Sequence, residues 1–305
     1  MSAALVVMAG YLLVLLTIGL RARRRAAPGI DDYFVASRSV SPGVLFLMMA
    51  ATNFSAFTVF GFAGAGWESG YAFYPIMAFG TGFMALSFLW LGEPIRRLGR
   101  EAGLITPPEL MRHLTGSRAV QVLFFLVMTV FTLPYLAMQP MAAGYVLESM
   151  FGIPYFAGAA VVTGILLAYT FLGGFRGVSW TDAFQGGMLL VLMGLATVWV
   201  AASLGGFTVA HQALAESHPG LLSRPGLAGE YTPGVWFGYL ALWFLCDPLF
   251  PQLFQRFYAA RDRSALVATM TMYPLLTGVL FLLPITIGVL GRISFPLLPE
   301  GARPD

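Results

Sequence analysis

Gly173-Gly174-Phe175-Arg176-Gly177-Val178-Ser179-Trp180-Thr181-Asp182-Ala183-Phe184-Gln185 joins two long apolar runs, roughly 155–172 and 183–204. A connection between two helices needs a turn and a charge or two. Neither turn chemistry nor helical periodicity asks for this mixture of Gly, Arg, Trp, Asp and Gln. The spacing predicts a connecting loop over 173–182 that carries a role of its own.

Working outward, the composition sets the class. Of the 305 residues 58% are hydrophobic and 10% charged, with a mean hydropathy of +0.78. A soluble domain carries about 25% charged residues, so this chain lacks the means to cover a surface facing water, and it reads as an integral membrane protein. Eight apolar runs reach spanning length, at about 3–20, 41–66, 71–93, 119–148, 155–172, 183–204, 232–255 and 264–290. Lipid leaves open backbone groups unpaired, and the alternation of a barrel strand is absent, so all eight are expected as helices. Cys246 stands alone in an apolar run and reads as a small buried side chain.

The first run is followed by Arg21, Arg23, Arg24 and Arg25. A signal peptide has the opposite order, charge first, so the run reads as a retained helix with its N-terminus outside. The loops 21–40, 94–118, 173–182 and 256–263 then face the cytoplasm. They hold 14 of the 17 basic residues, all of them arginine, the bias expected of inner loops. Thr106-Pro107-Pro108-Glu109 reads as a capped helix start. Asp31-Asp32-Tyr33-Phe34 reads as an acidic-aromatic patch at the interface. In the outer loop 205–232, His211 and His218 read as solvated surface.

Three spans carry signs of interruption. Ala51-Thr52-Asn53-Phe54-Ser55-Ala56-Phe57-Thr58, followed by Gly61, Gly64 and Gly66, suits either close packing of small residues or an unwound helix whose oxygens hold a hard cation. In Asp247-Pro248-Leu249-Phe250-Pro251 two prolines remove backbone donors and break the helix. Asp247 enters the bilayer at a cost of about 2.5–3.5 kcal/mol, and no arginine lies inside the eight spans. It either keeps its proton or meets a cation from outside the chain. The run 119–148 is expected to break at Pro134 and Pro140. Beside them, Gln139 faces a solute or bonds a neighbouring helix.

The opening stretch resembles the signature segment of the sodium:solute symporter family at Gly173, Gly174, Phe175, Val178, Ser179, Trp180, Thr181, Asp182 and Gln185. Two more pieces are similar to that family: Asp32-Tyr33-Phe34 with Arg38, and Gln255-Arg256-Phe257 with Ala259-Ala260-Arg261-Asp262. The resemblance implies an all-α, polytopic helix bundle with a LeuT-like inverted-repeat core. Residues 1–305 would form one transporter domain, with 3–20 an extra helix, 41–204 the first five-helix repeat and 232–290 the start of the second. Sodium would be held by the carbonyls of Ala51 and Phe54 with side-chain oxygens of Asn53 and Ser55. Thr58, Gln139 and Asp247 would face the solute. The family's sodium–proline branch carries Asp where Asn53 stands, which argues against assuming proline as the solute. The chain stops at Asp305, where three more core helices are expected, so it reads as a fragment or as one part of a two-chain transporter.

The reading is sodium-coupled symport of a small organic solute by alternating access, in a multi-pass cell-membrane protein. Its partners are sodium, the solute and the lipid bilayer; nucleic acid is not among them, and no cofactor is implied beyond the coupling ion. No nucleophile–base pair or metal-ligand cluster suggests an enzyme. The alternatives are a membrane sensory input module of the same fold and a truncated product that does not transport.

Overall fold

The computed structural model describes residues 3–298. Among them every regular element is a helix, and strand-like pairing is confined to an isolated bridge between Val40 and Ala260. Five helices are long and apolar enough to cross a membrane: Ala3–Arg24, Phe57–Ala102, Arg118–Phe151, Tyr155–Ser203 and Arg263–Ser294. A broken pair, Pro233–Leu249 with Pro251–Ala259, makes a sixth, and the apolar helix Pro42–Asn53 is shorter.

Two of these helices account for the difference from the eight expected runs. Phe57–Ala102 has 46 residues and Tyr155–Ser203 has 49, against about 20 for one crossing. Each contains a residue that leaves the helix: Gly70, at φ 76° and ψ −157°, and Gly174, at φ 53° and ψ −157°. A side chain would be strained at either position.

The expected loop over 173–182 is therefore absent. Gly174 alone makes the break, and Phe175 to Gln185 are already helix. No longer connection is needed, because one residue with mirror-image φ redirects the chain. The breaks expected at Pro134 and Pro140 are absent too: both lie inside the continuous helix Arg118–Phe151. Neighbouring turns in an apolar setting absorb a lost backbone donor. The outer loop holds the helix Phe207–Ser217. In it His211 is half-buried, its Nε2 2.9 Å from the Tyr71 hydroxyl and its Nδ1 2.7 Å from the Phe207 carbonyl. It is not solvated surface.

The chain forms two compact units. The first gathers Met1–Thr52, Phe88–Gln185 and Phe250–Thr269. In it Phe88 meets Phe257 edge-on at 5.4 Å, and Phe257 and Tyr258 are fully buried. Thr106 starts the helix Pro107–Thr115 with a reciprocal cap to Glu109, as its sequence predicts. The second unit gathers Asn53–Ser87, Gly186–Leu249 and Met270–Asp305. Here Gly288 lets two helices touch backbone to backbone: a Cβ on it would lie 1.8 Å from the Ala63 carbonyl oxygen. Gly66 does the same against Ile285, at 2.4 Å from that carbonyl oxygen. The small-residue packing read from this stretch is present, next to the interruption rather than in place of it.

Candidate functional site

Helix Pro42–Asn53 ends at Asn53, and Phe54 and Ser55 are unwound before the wide turn Phe57–Gly61. The interruption expected between Ala51 and Thr58 is thus observed. Thr58 closes it locally. Its hydroxyl accepts from the Ser55 N–H at 3.3 Å, and its own N–H donates to the Ser55 carbonyl at 3.0 Å. Phe54 is buried, its ring edge-on to Phe281 at 5.5 Å. The second break falls where the two prolines predict it: helix Pro233–Cys246, a tight turn over Asp247–Leu249, extended Phe250, then helix Pro251–Ala259.

The second unit brings these two breaks together. The Asn53 amide donates to Asp247 Oδ2 at 3.3 Å and to the Tyr273 hydroxyl at 2.9 Å. Asp247 is 1% exposed, and the buried Thr81 hydroxyl stands beside its carboxylate. Asn53 and Asp247, read separately as an ion residue and a solute residue, share one polar cluster. Ala51 and Gln139 belong to the first unit. Gln139 is half-buried on helix Arg118–Phe151.

The first unit brings the three sequence motifs together. Asp182 Oδ2 accepts from Arg256 at 2.6 Å and from the Thr52 hydroxyl at 3.3 Å. The Arg256 guanidinium also lies over the Phe175 ring at 5.9 Å. Gln255 donates to the Phe34 carbonyl at 3.1 Å, and Arg176 donates to the buried Asp32. Tyr33 crowds the helix break, since a Cβ on Gly174 would sit 2.9 Å from its carbonyl oxygen. Trp180 lies 5.6 Å beneath the Arg25 guanidinium, Gln185 donates to the Tyr11 hydroxyl, and the fully buried Thr181 donates to its own helix at Gly177. Arg38 is buried, with one guanidinium nitrogen donating to the Leu104 carbonyl at 3.1 Å. Burial works to raise the Asp32 carboxyl, but Arg176, Ser37 and the Ala27 N–H outweigh it and hold the group below the usual carboxylate range.

Sequence reasoning missed Thr52, Thr81, Tyr273 and the Asp182–Arg256 pair. Thr81 and Tyr273 look like ordinary members of apolar runs. A faint signal exists in their neighbours, since Thr81 lies between two glycines and Tyr273 precedes Pro274. Chemically, the two breaks offer unwound carbonyls and neutral or anionic side-chain oxygens, the ligands of a hard monovalent ion. Among the described residues no group of three or more His, Cys, Asp or Glu side chains could hold a transition metal.

A model of the sodium:solute symporter family matches residues 33–303. Curated relatives include the sodium/proline symporters of Staphylococcus aureus strains JH9 and COL. Each is 26% identical over 226 residues, covering 73% of this chain and 44% of the relative. The chain thus spans less than half the length of these relatives. Among solved structures, the substrate-bound outward-open state of a Na+-coupled sialic acid symporter superposes with a TM-score of 0.78 at 20% identity. It covers 98% of this chain and 63% of that one, a likeness in fold.

Proposed function

The chain belongs to the sodium:solute symporter family, and from that membership and the geometry of its two helix breaks we propose that it carries out, or forms part of, sodium-coupled symport of a small organic solute. The observation that supports this most directly is the Asn53–Asp247 contact, which places both unwound segments on one polar cluster inside an apolar unit. Such breaks are where inverted-repeat transporters hold ion and solute.

In this reading the sodium ligands are the carbonyls of Ala51 and Phe54 with Asn53 and Ser55, and the solute meets Thr58, Gln139 and Asp247. The N-terminus lies outside, which puts 14 of 17 arginines in the cytoplasm. The stretches 41–204 and 232–290 form the first repeat and the opening of the second. Sodium stabilises an outward-open arrangement, and the solute shifts the population toward the inward-open one. Every step is a change of hydrogen bonding and packing, with no covalent chemistry.

The test is uptake into proteoliposomes carrying the chain, with radiolabelled proline, sialic acid and other small solutes, with and without an inward sodium gradient. Uptake that follows the gradient supports symport. Uptake indifferent to sodium overturns the coupling, and binding without uptake favours a sensory module of the same fold.

A further inference from the structure

The short helix Ile30–Val35 is inside out for a surface that meets water. Ile30, Tyr33 and Phe34 stand at i, i+3 and i+4, one face of a helix. All three are exposed, between 40% and 67%, while Asp32 and Val35 are buried. A helix on a soluble protein does the reverse, burying its apolar stripe and turning charge outward. The inverted arrangement is held in place. Asp32 accepts from the Ala27 N–H at 3.0 Å, from the Ser37 hydroxyl at 2.7 Å and from Arg176. Tyr33 meets Phe34 edge-on at 5.0 Å.

A second observation lies just upstream. The helix Ala3–Arg24, of spanning length, ends in Arg21, Arg23 and Arg24, with Arg25 next, and all four are exposed. Among the described residues none of the four forms an ion pair. The acids of the neighbouring helix are already answered, Asp31 by Arg38 at 3.6 Å and Asp32 by Arg176. Four uncompensated charges therefore stand beside an outward apolar face, where a span ends. Arg25 also lies over the half-buried Trp180, and tryptophan favours the depth at which bilayer meets water. Basic charge alone suits any polyanion. Basic charge with exposed apolar area at that depth suits anionic lipid, since the two signals act together.

We propose that the arginines closing the first span and the outward face of helix Ile30–Val35 form a docking surface for anionic phospholipid. The guanidinium groups take headgroup phosphates, and Ile30, Tyr33 and Phe34 enter the boundary of the acyl chains. A transporter and a sensory module of this fold would carry the surface alike, so it does not draw on the symport reading.

The experiment uses the 305-residue chain in a non-ionic detergent, with binding read by microscale thermophoresis. The titrants are dioctanoyl phosphatidylglycerol, dioctanoyl phosphatidylcholine and inorganic phosphate. The variants are Arg21→Gln/Arg23→Gln/Arg24→Gln and Ile30→Ser/Phe34→Ser. Arg112→Gln/Arg118→Gln removes two exposed charges elsewhere in the first unit and is the control. Each is first checked for monodisperse elution and for its lipid-free unfolding midpoint. The parent chain is expected to bind phosphatidylglycerol about tenfold or more tighter than phosphatidylcholine. The arginine variant loses that preference, at about fivefold per charge removed. The serine variant keeps it but binds both lipids about tenfold more weakly, and the control binds as the parent does. Should the arginine variant fail to fold, salt raised from about 50 to about 300 mM carries the test. Phosphatidylglycerol affinity then falls while phosphatidylcholine affinity holds. Equal affinity of the parent for the two lipids overturns the proposal. So does a preference that survives in the arginine variant, an unchanged affinity in the serine variant, or a control that costs as much as the arginine variant. Inorganic phosphate displacing phosphatidylglycerol at equal concentration marks a free-anion site, and a parent dimer dissolved by the serine variant marks a self-association face. Either result also overturns it.

Discussion

Arg256 donates to Asp182 Oδ2 at 2.6 Å, and the Thr52 hydroxyl reaches the same oxygen at 3.3 Å. One carboxylate of the signature helix therefore holds the residue next to Asn53, at the point where the helix Pro42–Asn53 gives out. The ion pair anchors the last turn of that helix rather than ornamenting a loop.

That anchor has a definite energetic consequence. Arg256→Met strands a carboxylate whose side chain is 14% exposed, and breaking one side of such a pair costs up to about 3–5 kcal/mol. Replacing both partners, as in Asp182→Leu with Arg256→Met, removes the desolvation penalty together with the attraction. The double variant is expected to recover most of the loss. Unfolding midpoints of the four proteins in the same detergent form the cycle that checks this. A double variant as unstable as the sum of the two singles would show that the pair contributes no coupling.

Gly174 and Gly164 should respond oppositely to alanine. At Gly174 the backbone has φ 53° and ψ −157°, and Tyr33 occupies the space a Cβ would need. Gly174→Ala is expected to cost about 1–3 kcal/mol or more. Gly164 lies within the same 49-residue helix with nothing within 4 Å of a Cβ. There Gly164→Ala is expected to be neutral or to stabilise by about 0.5–1 kcal/mol. Thermal unfolding of both variants checks the pair, and equal destabilisation would remove the argument that Gly174 is required at the break.

How much of this was legible depends on what each residue answers to. The two breaks were readable because their causes are local: Pro248 and Pro251 lack donors, and a polar run at Asn53–Ser55 suits a lipid-facing helix poorly. The helix carrying Pro134 and Pro140 was over-read, since the same missing donors are tolerated where neighbouring turns adjust. Gly174 was visible as a glycine but not as the sole turn, because that depends on Tyr33 packing from 141 positions away in the numbering. Asp182 reads from sequence as the end of a cytoplasmic connecting loop, and its pairing becomes visible only once Arg256 arrives beside it. Thr81 and Tyr273 carry only the faint signal of their glycine and proline neighbours, so the folded unit is what reveals them as part of the Asn53–Asp247 cluster.

Asp32 predicts an acid-side dependence. Its folded carboxyl is held below its unfolded value, by Arg176 above all against the cost of burial. The stabilisation is therefore complete above the unfolded value and is lost as pH falls through the folded one. As pH falls below about 5, past the unfolded carboxyl value of about 3.9 and on through the lower folded one, the parent chain is expected to lose stability. Asp32→Asn should start lower and show a flatter decline over that range. Unfolding midpoints measured across it decide the matter, and parallel curves for the two proteins would assign the acid sensitivity elsewhere.

Thr58 links the geometry of the first break to the proposed sodium site. Its hydroxyl accepts from the Ser55 N–H, and the residue is 3% exposed. Thr58→Ser keeps that acceptor and should leave stability within about 1 kcal/mol of the parent. Thr58→Val keeps the shape but leaves a backbone N–H unpaired, a loss of about 1–3 kcal/mol. Because Ser55 and the Phe54 carbonyl lie on that same unwound stretch, sodium affinity should fall in Thr58→Val and survive in Thr58→Ser. Intrinsic tryptophan fluorescence titrated with sodium, alongside thermal unfolding, separates the two effects. A Val variant that is destabilised yet binds sodium as tightly as the parent would show that Thr58 props up the break without shaping its oxygens.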